Sequence, residues 1–216
     1  MKTHIAITAA ISVALSSCGG SSASPNPAPL VAFMGDSITA HWGDASITGT
    51  DKTLADLVPN SINAGIGGQT CAQMQTRFAT DVISVHPGIV VIDCGTNDTD
   101  DYHSTDYQAL FDMVIAAQGI GAHVIVGTLP PNSFAYYPTA VAIDSKLHAD
   151  WNAVIREAAE SYGYQVADYY PAMLLPDGQQ NLALFYDGLH PDAAGYAIMW
   201  RVLEPLLASE GAVTAQ

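Results

Sequence analysis

The sequence predicts an α/β fold in which helices cover both faces of a parallel β-sheet. Apolar runs at 30–34 and 89–92 are continuous, which is typical of strands buried on both faces. Stretches with helical periodicity, such as 71–85 and 140–162, alternate with these runs along the chain. This alternation predicts a parallel sheet with right-handed crossovers, and the ligands of such sheets bind beyond the carboxyl ends of the strands.

Local signals place the boundaries of the predicted elements. Thr70 and Gln73 have the spacing of a capping box, which predicts a helix that begins at position 71. Asp192 is expected to cap the last helix, and Pro205 is expected to bend or shorten it because proline has no backbone N–H. The predicted strands are 30–34, 61–64, 89–92, 122–126 and 164–167, the predicted helices are 52–58, 71–85, 106–117, 140–162 and 193–208, and 128–137 and 171–187 are expected to be irregular.

Length and composition favour one folded domain, assigned to residues 30–208, with 209–216 as a tail. A chain of 216 residues that is 49% hydrophobic can bury a substantial core. The formal net charge of −15 argues against a nucleic-acid partner, because phosphate binding needs clustered Lys and Arg. The excess of acidic residues is interpreted as a source of solubility.

The N-terminal region has the features of an export signal followed by a linker. Residues 5–15 are largely apolar, and the run is too short to cross a bilayer but suits the core of a signal peptide. The segment that ends at Cys18 resembles a bacterial lipobox, so 1–17 is predicted to be a lipoprotein-type signal peptide and 18–29 a flexible tether. The expected location is the cell envelope, and Gly19 favours the outer membrane of a Gram-negative cell. An ordinary cleaved signal and a secreted or periplasmic protein are the alternative.

Two further cysteines, Cys71 and Cys94, lie in the predicted domain. In an oxidising compartment two thiols can pair, and these two lie next to segments that are expected to approach each other. Sequence alone does not set the geometry that a disulfide needs. A disulfide and two free thiols therefore both remain open.

Four short polar segments lie where such a sheet would place a functional site. Three of them, at 35–38, 63–68 and 95–98, follow predicted strands, and the fourth, at 187–190, precedes the last helix. Each segment alone is weak evidence of function, because Gly, Asp, Ser and Asn are common in turns and a single His is more often structural. Their shared position at the carboxyl ends of strands makes them candidates.

Together these segments contain the groups that acyl transfer requires. Ser37 is a weak nucleophile until a base removes its proton, and His190 can act as that base near neutral pH. Asp187 lies three residues before His190, so its carboxylate can reach the imidazole Nδ1 and orient the ring. The backbone N–H groups of Ser37 and Gly68 and the side-chain amide of Asn97 are candidate donors to an oxyanion, and a glycine allows close backbone approach.

The four segments resemble, in order, the sequence blocks of the SGNH/GDSL hydrolases. The resemblance covers nearly all of the predicted domain. It implies a flavodoxin-like three-layer α/β/α sandwich with a five-stranded parallel sheet, and an ester or thioester hydrolase that needs neither metal nor nucleotide. Asp36 and Asn63 are expected to support the site. The residues that match the blocks are Ser37, Asn63, Gly68, Asn97, Asp187 and His190.

Motifs of other enzyme classes do not occur in the sequence. The G-x-S-x-G motif of α/β-hydrolases is absent because position 39 is Thr. The glycines near position 65 do not form a dinucleotide-binding pattern, and the histidines lack the spacing of metal ligands. We therefore expect no cofactor and no metal.

The chain is short and has no obvious inserted lid, which favours an open cleft and small acyl groups. The expected substrate is a short-chain ester or an O-acetylated carbohydrate. The protein is expected to be a monomer that contacts the membrane only through its lipid anchor. Acyl transfer to a saccharide, and lipase or lysophospholipase action on longer chains, are the alternatives, and a non-catalytic ligand-binding lipoprotein is disfavoured. Four aromatic residues could contact substrate or serve only in packing: Trp42, Tyr136, Tyr137 and Tyr186.

Overall fold

The fold is built on a five-stranded parallel sheet. The computed structural model describes residues 27–41, 45–100, 107–133 and 141–214. The strand order is β2-β1-β3-β4-β5, which is the order of flavodoxin-like folds, and the predicted fold class is confirmed. The strands are β1 (Val31–Gly35), β2 (Ser61–Gly65), β3 (Ile89–Asp93), β4 (His123–Gly127) and β5 (Gln165–Ala167).

Helices cover both faces of this sheet. One face packs against α3, α5 and α6, and the other packs against α7 and α8. The α-helices in the described part of the chain are α1 (Ser37–Ala40), α2 (Ala45–Thr48), α3 (Cys71–Asp81), α4 (Thr96–Asp100), α5 (Gln108–Gly119), α6 (Val141–Tyr162), α7 (Tyr169–Ala172) and α8 (Ala193–Ser209).

The central strands explain the continuous apolar runs in the sequence. Val31 and Phe33 of β1 point into one core, whereas Ala32 and Met34 point into the other. All four side chains are at most 1% exposed. Since successive side chains of a strand alternate between faces, a strand covered on both sides must be apolar at every position.

Two predicted helices differ from the observed ones. The helix expected at 52–58 is reduced to a single 3-10 turn, Ala55–Leu57, which ends two residues before Pro59. The helix expected at 71–85 ends at Asp81, and a 3-10 turn follows. The tighter turn takes Val85 off the apolar face, so its side chain is 42% exposed rather than buried as its spacing predicted.

The last helix tolerates its internal proline. Pro205 lies inside α8, which continues to Ser209 rather than stopping early. Leu203 and Leu207, on either side of the proline, are fully buried. We attribute the continuity of α8 to this packing, which offsets the hydrogen bond that proline cannot donate.

Some predicted features lie outside the described residues or differ locally. The segment 95–98, expected to be a loop, contains the start of the short helix α4, and 171–187 contains the end of α7 and one 3-10 turn, Leu182–Leu184. Within the described ranges, no helix is both long enough and apolar enough to span a membrane. The signal peptide, Cys18, Trp42, Tyr136 and Tyr137 lie outside the described residues.

Candidate active site

The register of the sheet brings the predicted polar segments to one edge. Gly35, the last residue of β1, pairs with Gly65 of β2 and with Asp93 of β3. The segments that follow these three strands therefore start at the same level. Strand β1 lies between β2 and β3, and Ser37 is the second residue after its end.

Ser37 is the first residue of α1, a single helical turn held in place by residues far apart in the chain. Asp36 caps this turn, and its carboxylate accepts a hydrogen bond from the backbone N–H of Ile38 at 2.9 Å. From the opposite side, the hydroxyl of Tyr196 on α8 donates to the carbonyl of Ile38 at 2.6 Å. Both bonds are made by the backbone of Ile38, the residue after Ser37, so the position of Ser37 depends on α8 as well as on the sheet.

The side chains of Ser37, His190 and Asp187 form one hydrogen-bonded chain. The Oγ of Ser37 lies 2.9 Å from Nε2 of His190, although the two residues are 153 positions apart in the sequence. The Nδ1 of the same imidazole lies 2.7 Å from Oδ2 of Asp187. Because a carboxylate only accepts, the ring proton is assigned to Nδ1, which leaves Nε2 as the acceptor for the serine hydroxyl.

The backbone of the His190 loop also fixes the carboxylate of Asp187. Its Oδ1 accepts hydrogen bonds from the backbone N–H groups of Leu189 at 2.9 Å and His190 at 2.7 Å. Partial burial raises the pKa of Asp187, but these bonds and the contact with the imidazole outweigh burial and leave the pKa below its usual value. The carboxylate is therefore ionised near neutral pH and favours a positive charge on the imidazole.

Asp36 has the opposite electrostatic environment. It is 2% exposed, and burial raises its pKa to about 6 although hydrogen bonds from the Ile38 backbone and the Thr96 side chain lower it. A second carboxylate, that of Asp93, lies close by, and burial together with the charge of Asp36 raises the pKa of Asp93 to about 7. Two carboxyl groups that resist ionisation thus lie beneath the serine turn.

Asn97 lies on α4 and faces the loop that follows β2. Its Nδ2 donates to the backbone carbonyl of Gln69 at 2.9 Å. A second contact, with Oδ2 of Asp36, is 3.5 Å long and is therefore weak. The amide of Asn97 thus spans the space between the loop after β2 and the acidic residue that caps the serine turn.

Gly65, at the end of β2, and Gly68, in the loop that follows, serve two different purposes. Gly68 has φ of +77°, which favours glycine, but a Cβ on this residue would meet no protein atom within 4 Å. Close packing occurs at Gly65, where a Cβ would lie 2.4 Å from the backbone nitrogen of Ala40. Gly65 lets α1 pack on β2, whereas Gly68 sets the path of the loop.

Asn63 holds the serine turn from the side of β2. Its Nδ2 donates to the carbonyl of Thr39 at 2.8 Å, and its Oδ1 accepts from the backbone N–H of Gly65 at 2.9 Å. A weaker bond of 3.3 Å reaches the hydroxyl of Thr53. Asn63 therefore contacts the backbone of the turn that begins with Ser37.

Comparison with known proteins identifies the family. Residues 33–198 match the model of the GDSL-like lipase/acylhydrolase family, a range that contains Ser37, His190 and the other two oxyanion candidates, Gly68 and Asn97. The chain belongs to the GDSL-like lipase/acylhydrolase family. It is accordingly a carboxylic ester hydrolase, as the resemblance of its sequence blocks implied. Comparison with curated proteins finds no match.

Solved structures of related hydrolases share the fold. A GDSL-like lipase from Bacteroides thetaiotaomicron is 28% identical, with 83% of this chain and 88% of that chain covered and a TM-score of 0.72. A lipase/acylhydrolase from Enterococcus faecalis is 24% identical, with 86% and 99% covered and a TM-score of 0.64. An acetylxylan esterase from Geobacillus stearothermophilus is 21% identical, with 87% and 97% covered and a TM-score of 0.63.

The two cysteines of this hydrolase domain form a disulfide in the structure. The Sγ atoms of Cys71 and Cys94 are 2.06 Å apart. Cys71 is the first residue of α3, and Cys94 directly follows β3. The bridge therefore joins the loop that contains Gly68 to the segment that contains Asn97.

One of the four predicted aromatic residues lies beside the imidazole. The rings of Tyr186 and His190 are stacked, with centroids 5.8 Å apart and planes inclined by 21°. Tyr186 is partly exposed, so its ring can face both the histidine and a bound molecule.

Three residues near the site were missed by the sequence reasoning. Tyr196 and Asp93 are described above, and Asn152 of α6 pairs with the backbone of Leu129 through Oδ1 at 2.7 Å and Nδ2 at 2.9 Å. An acidic residue at the end of an apolar strand is a usable signal for Asp93. Tyr196 and Asn152 carry no local signal, because their partners are distant in sequence. Within the ranges that the structure describes, no cluster of three metal-ligating side chains occurs.

Proposed function

We propose that Ser37, His190 and Asp187 are the catalytic triad of this ester hydrolase. Nε2 of His190 takes the proton from Ser37 as Oγ attacks the carbonyl carbon of the ester, and the same proton then passes to the departing alkoxide. A water molecule attacks the acyl-enzyme by the same route and releases the acid. The 2.9 Å contact between Oγ and Nε2 is the observation that carries this proposal.

The negative charge that forms on the carbonyl oxygen needs donors that are already in position. The backbone N–H groups of Ser37 and Gly68 and the amide of Asn97 are proposed to supply them. The first bond of Nδ2 of Asn97, to Gln69, fixes the amide, and its contact with Asp36 is long. One N–H of the amide is thus held only weakly by the protein, which suits a group that must bind an incoming oxyanion.

The substrate we propose is a short-chain ester, with carbohydrate O-acetyl groups as the natural source. The sequence is short and has no obvious inserted lid, which favours an open cleft over a deep acyl tunnel. Tyr186 beside His190 offers an aromatic face of the kind that stacks on sugar rings. The fold is also shared with an acetylxylan esterase.

A chain-length series tests both the mechanism and the substrate class. Initial rates on p-nitrophenyl esters from C2 to C16 should be highest at C2 to C4 and should vanish in Ser37→Ala. A fluorophosphonate probe should label the wild-type protein and leave Ser37→Ala unlabelled. A maximum at C8 or longer would assign the enzyme to the lipases, and labelling that persists in Ser37→Ala would remove Ser37 from the mechanism.

Transfer of the acyl group to a saccharide would use the same residues. Product analysis with an acetyl donor and an oligosaccharide acceptor separates the two reactions, because hydrolysis yields acetate and transfer yields an acetylated sugar. We expect acetate as the main product.

We further propose that the enzyme is exported and anchored through a lipid on Cys18, and that it acts as a monomer. The apolar run before Cys18 and the flexible composition after it support this proposal. Labelling with radioactive palmitate should mark the wild type and not Cys18→Ala. Equal labelling of both proteins, or of neither, would leave a secreted or periplasmic enzyme.

A further inference from the structure

Three links join the two loops that carry the proposed oxyanion donors. The disulfide connects Cys71 with Cys94. The carboxylate of Asp98 accepts from the backbone N–H of Cys71, with oxygen distances of 3.0 and 3.2 Å. The side chain of Asn97 donates to the carbonyl of Gln69 at 2.9 Å. All three links connect the segment after β2 to the segment after β3.

The sheet itself does not connect these two segments. In the order β2-β1-β3, the strand that carries Ser37 separates the strands that precede the two loops. Strands β2 and β3 therefore share no backbone hydrogen bonds. The spacing between the loop after β2 and the segment after β3 depends on contacts made beyond the sheet. The disulfide is the covalent one among them.

We propose that the Cys71–Cys94 disulfide positions the oxyanion hole. Cys71 lies three residues after Gly68, and Cys94 lies three residues before Asn97. The bridge thus fixes the distance between the Gly68 N–H and the Asn97 amide across the serine turn. The inference rests on the proposed function, because the two groups must act as oxyanion donors for their spacing to affect the rate.

Burial makes this bridge a permanent constraint rather than a redox switch. Cys71 is 0% exposed and Cys94 is 1% exposed, and both belong to the core between the sheet and α3, α5 and α6. Exchange with an external thiol needs access to a sulfur atom, and that access requires the loops to open. In the folded enzyme the bridge should therefore resist mild reductants.

The test compares wild type with the double variant Cys71→Ala/Cys94→Ala. For each protein, kcat on p-nitrophenyl acetate is divided by the number of Ser37 sites that a fluorophosphonate probe labels, so that unfolded protein does not contribute. We expect kcat per labelled site to fall about tenfold or more, with little change in KM, because displaced donors weaken transition-state binding. The pH at which activity is half-maximal should not change, since the Ser37–His190 pair is untouched.

A matched control separates positioning from stability. Met74→Ala removes a fully buried side chain one turn further along α3 and leaves both loops intact. It should lower the thermal midpoint and leave kcat per labelled site within twofold of wild type. If the double variant behaves like this control, the bridge only stabilises the fold and the proposal is wrong.

A second preparation guards against a double variant that fails to fold. Wild-type protein is denatured, reduced and refolded with its thiols kept reduced, and half of it is then reoxidised. We expect the reoxidised half to regain the kcat per labelled site that the reduced half lacks. Equal values in both halves, or a reduced chain that never yields labelled sites, would assign the bridge to folding alone. A wild type that neither hydrolyses esters nor takes up the probe would refute the proposed function instead.

Discussion

The serine turn and the histidine loop each contain an aspartate that accepts backbone hydrogen bonds, yet the two carboxylates have opposite properties. Asp36 caps the turn of Ser37, is 2% exposed and has its pKa raised by burial to about 6. Asp187 is partly exposed, contacts His190 at 2.7 Å and has its pKa lowered because its hydrogen bonds outweigh burial. Burial and partners, rather than the residue type, determine which carboxylate carries charge.

The difference indicates a division of labour. Asp187 supplies a negative charge to an imidazole that becomes positive during the reaction, and a charge is effective only where it is ionised. Asp36 fixes the position of the serine turn, since one acceptor oxygen is enough to cap a helical turn whether or not the carboxyl group is protonated. The histidine loop therefore depends on charge, whereas the serine turn depends on packing and backbone hydrogen bonds.

The largest effect should come from removing the charge of the histidine loop. Asp187→Asn keeps the shape of the side chain but replaces the carboxylate with an amide, which stabilises the imidazolium poorly and can favour the wrong tautomer. We expect kcat on p-nitrophenyl acetate to fall about 10³-fold or more, less than the loss in Ser37→Ala. A loss below about tenfold would remove Asp187 from the triad.

The serine turn should respond next most strongly to a change in packing. In Gly65→Ala the new Cβ would lie 2.4 Å from the backbone nitrogen of Ala40, so α1 has to move. We expect kcat to fall about 10²-fold and the free energy of unfolding to fall by about 1–3 kcal/mol. The matched control is Gly119→Ala, where a Cβ meets nothing within 4 Å. Equal activity in both variants would show that α1 has room to shift without harm.

Removing the charge of the serine turn should have a smaller effect. Asp36→Asn keeps an oxygen that can accept from Ile38 and loses only the ionisable group. We expect kcat per active site to fall about tenfold, because the new amide N–H groups face the amide of Asn97. Measured beside Asp187→Asn, this variant tests the contrast directly. Losses of equal size would mean that the charge of Asp36 also acts in the reaction.

The fold could be predicted from the sequence because its signals are local and repeated. Continuous apolar runs indicated strands buried on both faces, and the capping box of Thr70 and Gln73 indicated the start of α3, where the structure has it. The short element at 52–58 was predicted less well. Its apolar residues are compatible with a helix, but Leu54 and Ala55 are buried by tertiary contacts that allow only one 3-10 turn.

The site shows where such reasoning stops. Ser37, Asp187 and His190 lie in short motifs, and the rule for parallel sheets brings those motifs to one edge. The hydroxyl bond from Tyr196 to Ile38 spans 158 positions, and nothing near Tyr196 in the sequence marks it. The close packing of Gly65 against α1 was also missed, because it depends on the path of α1 over β2, which a single sequence does not specify.

Asp93 extends the contrast between the two carboxylates to a residue outside the proposed triad. It ends β3 on the face of the sheet that α8 covers, and its Oδ1 is buried with no hydrogen-bond partner. Gly127 makes room for it, since a Cβ there would overlap Oδ1 of Asp93. The hydroxyl of Tyr169 is likewise buried and lacks a partner, and the charge of Asp93 raises the pKa of this phenol further above the value that burial gives it. An ionised carboxylate is therefore disfavoured at this position.

Asp93→Asn should leave catalysis nearly unchanged and alter the pH dependence of stability. Burial raises the pKa of Asp93 to about 7 in the folded protein, whereas in the unfolded chain this carboxyl group has its ordinary pKa of 3.8. Between these pH values folding takes up a proton, so the free energy of unfolding of the wild type should fall as the pH rises from about 4 to about 7. The variant lacks this group, and its stability relative to wild type should increase by roughly 2–4 kcal/mol across that window. Urea unfolding at pH 4.5 and at pH 8, with kcat within twofold of wild type as the control, measures the effect. A constant difference at the two pH values would mean that Asp93 is ionised in the folded enzyme, and the contrast with Asp187 would then rest on Asp36 alone.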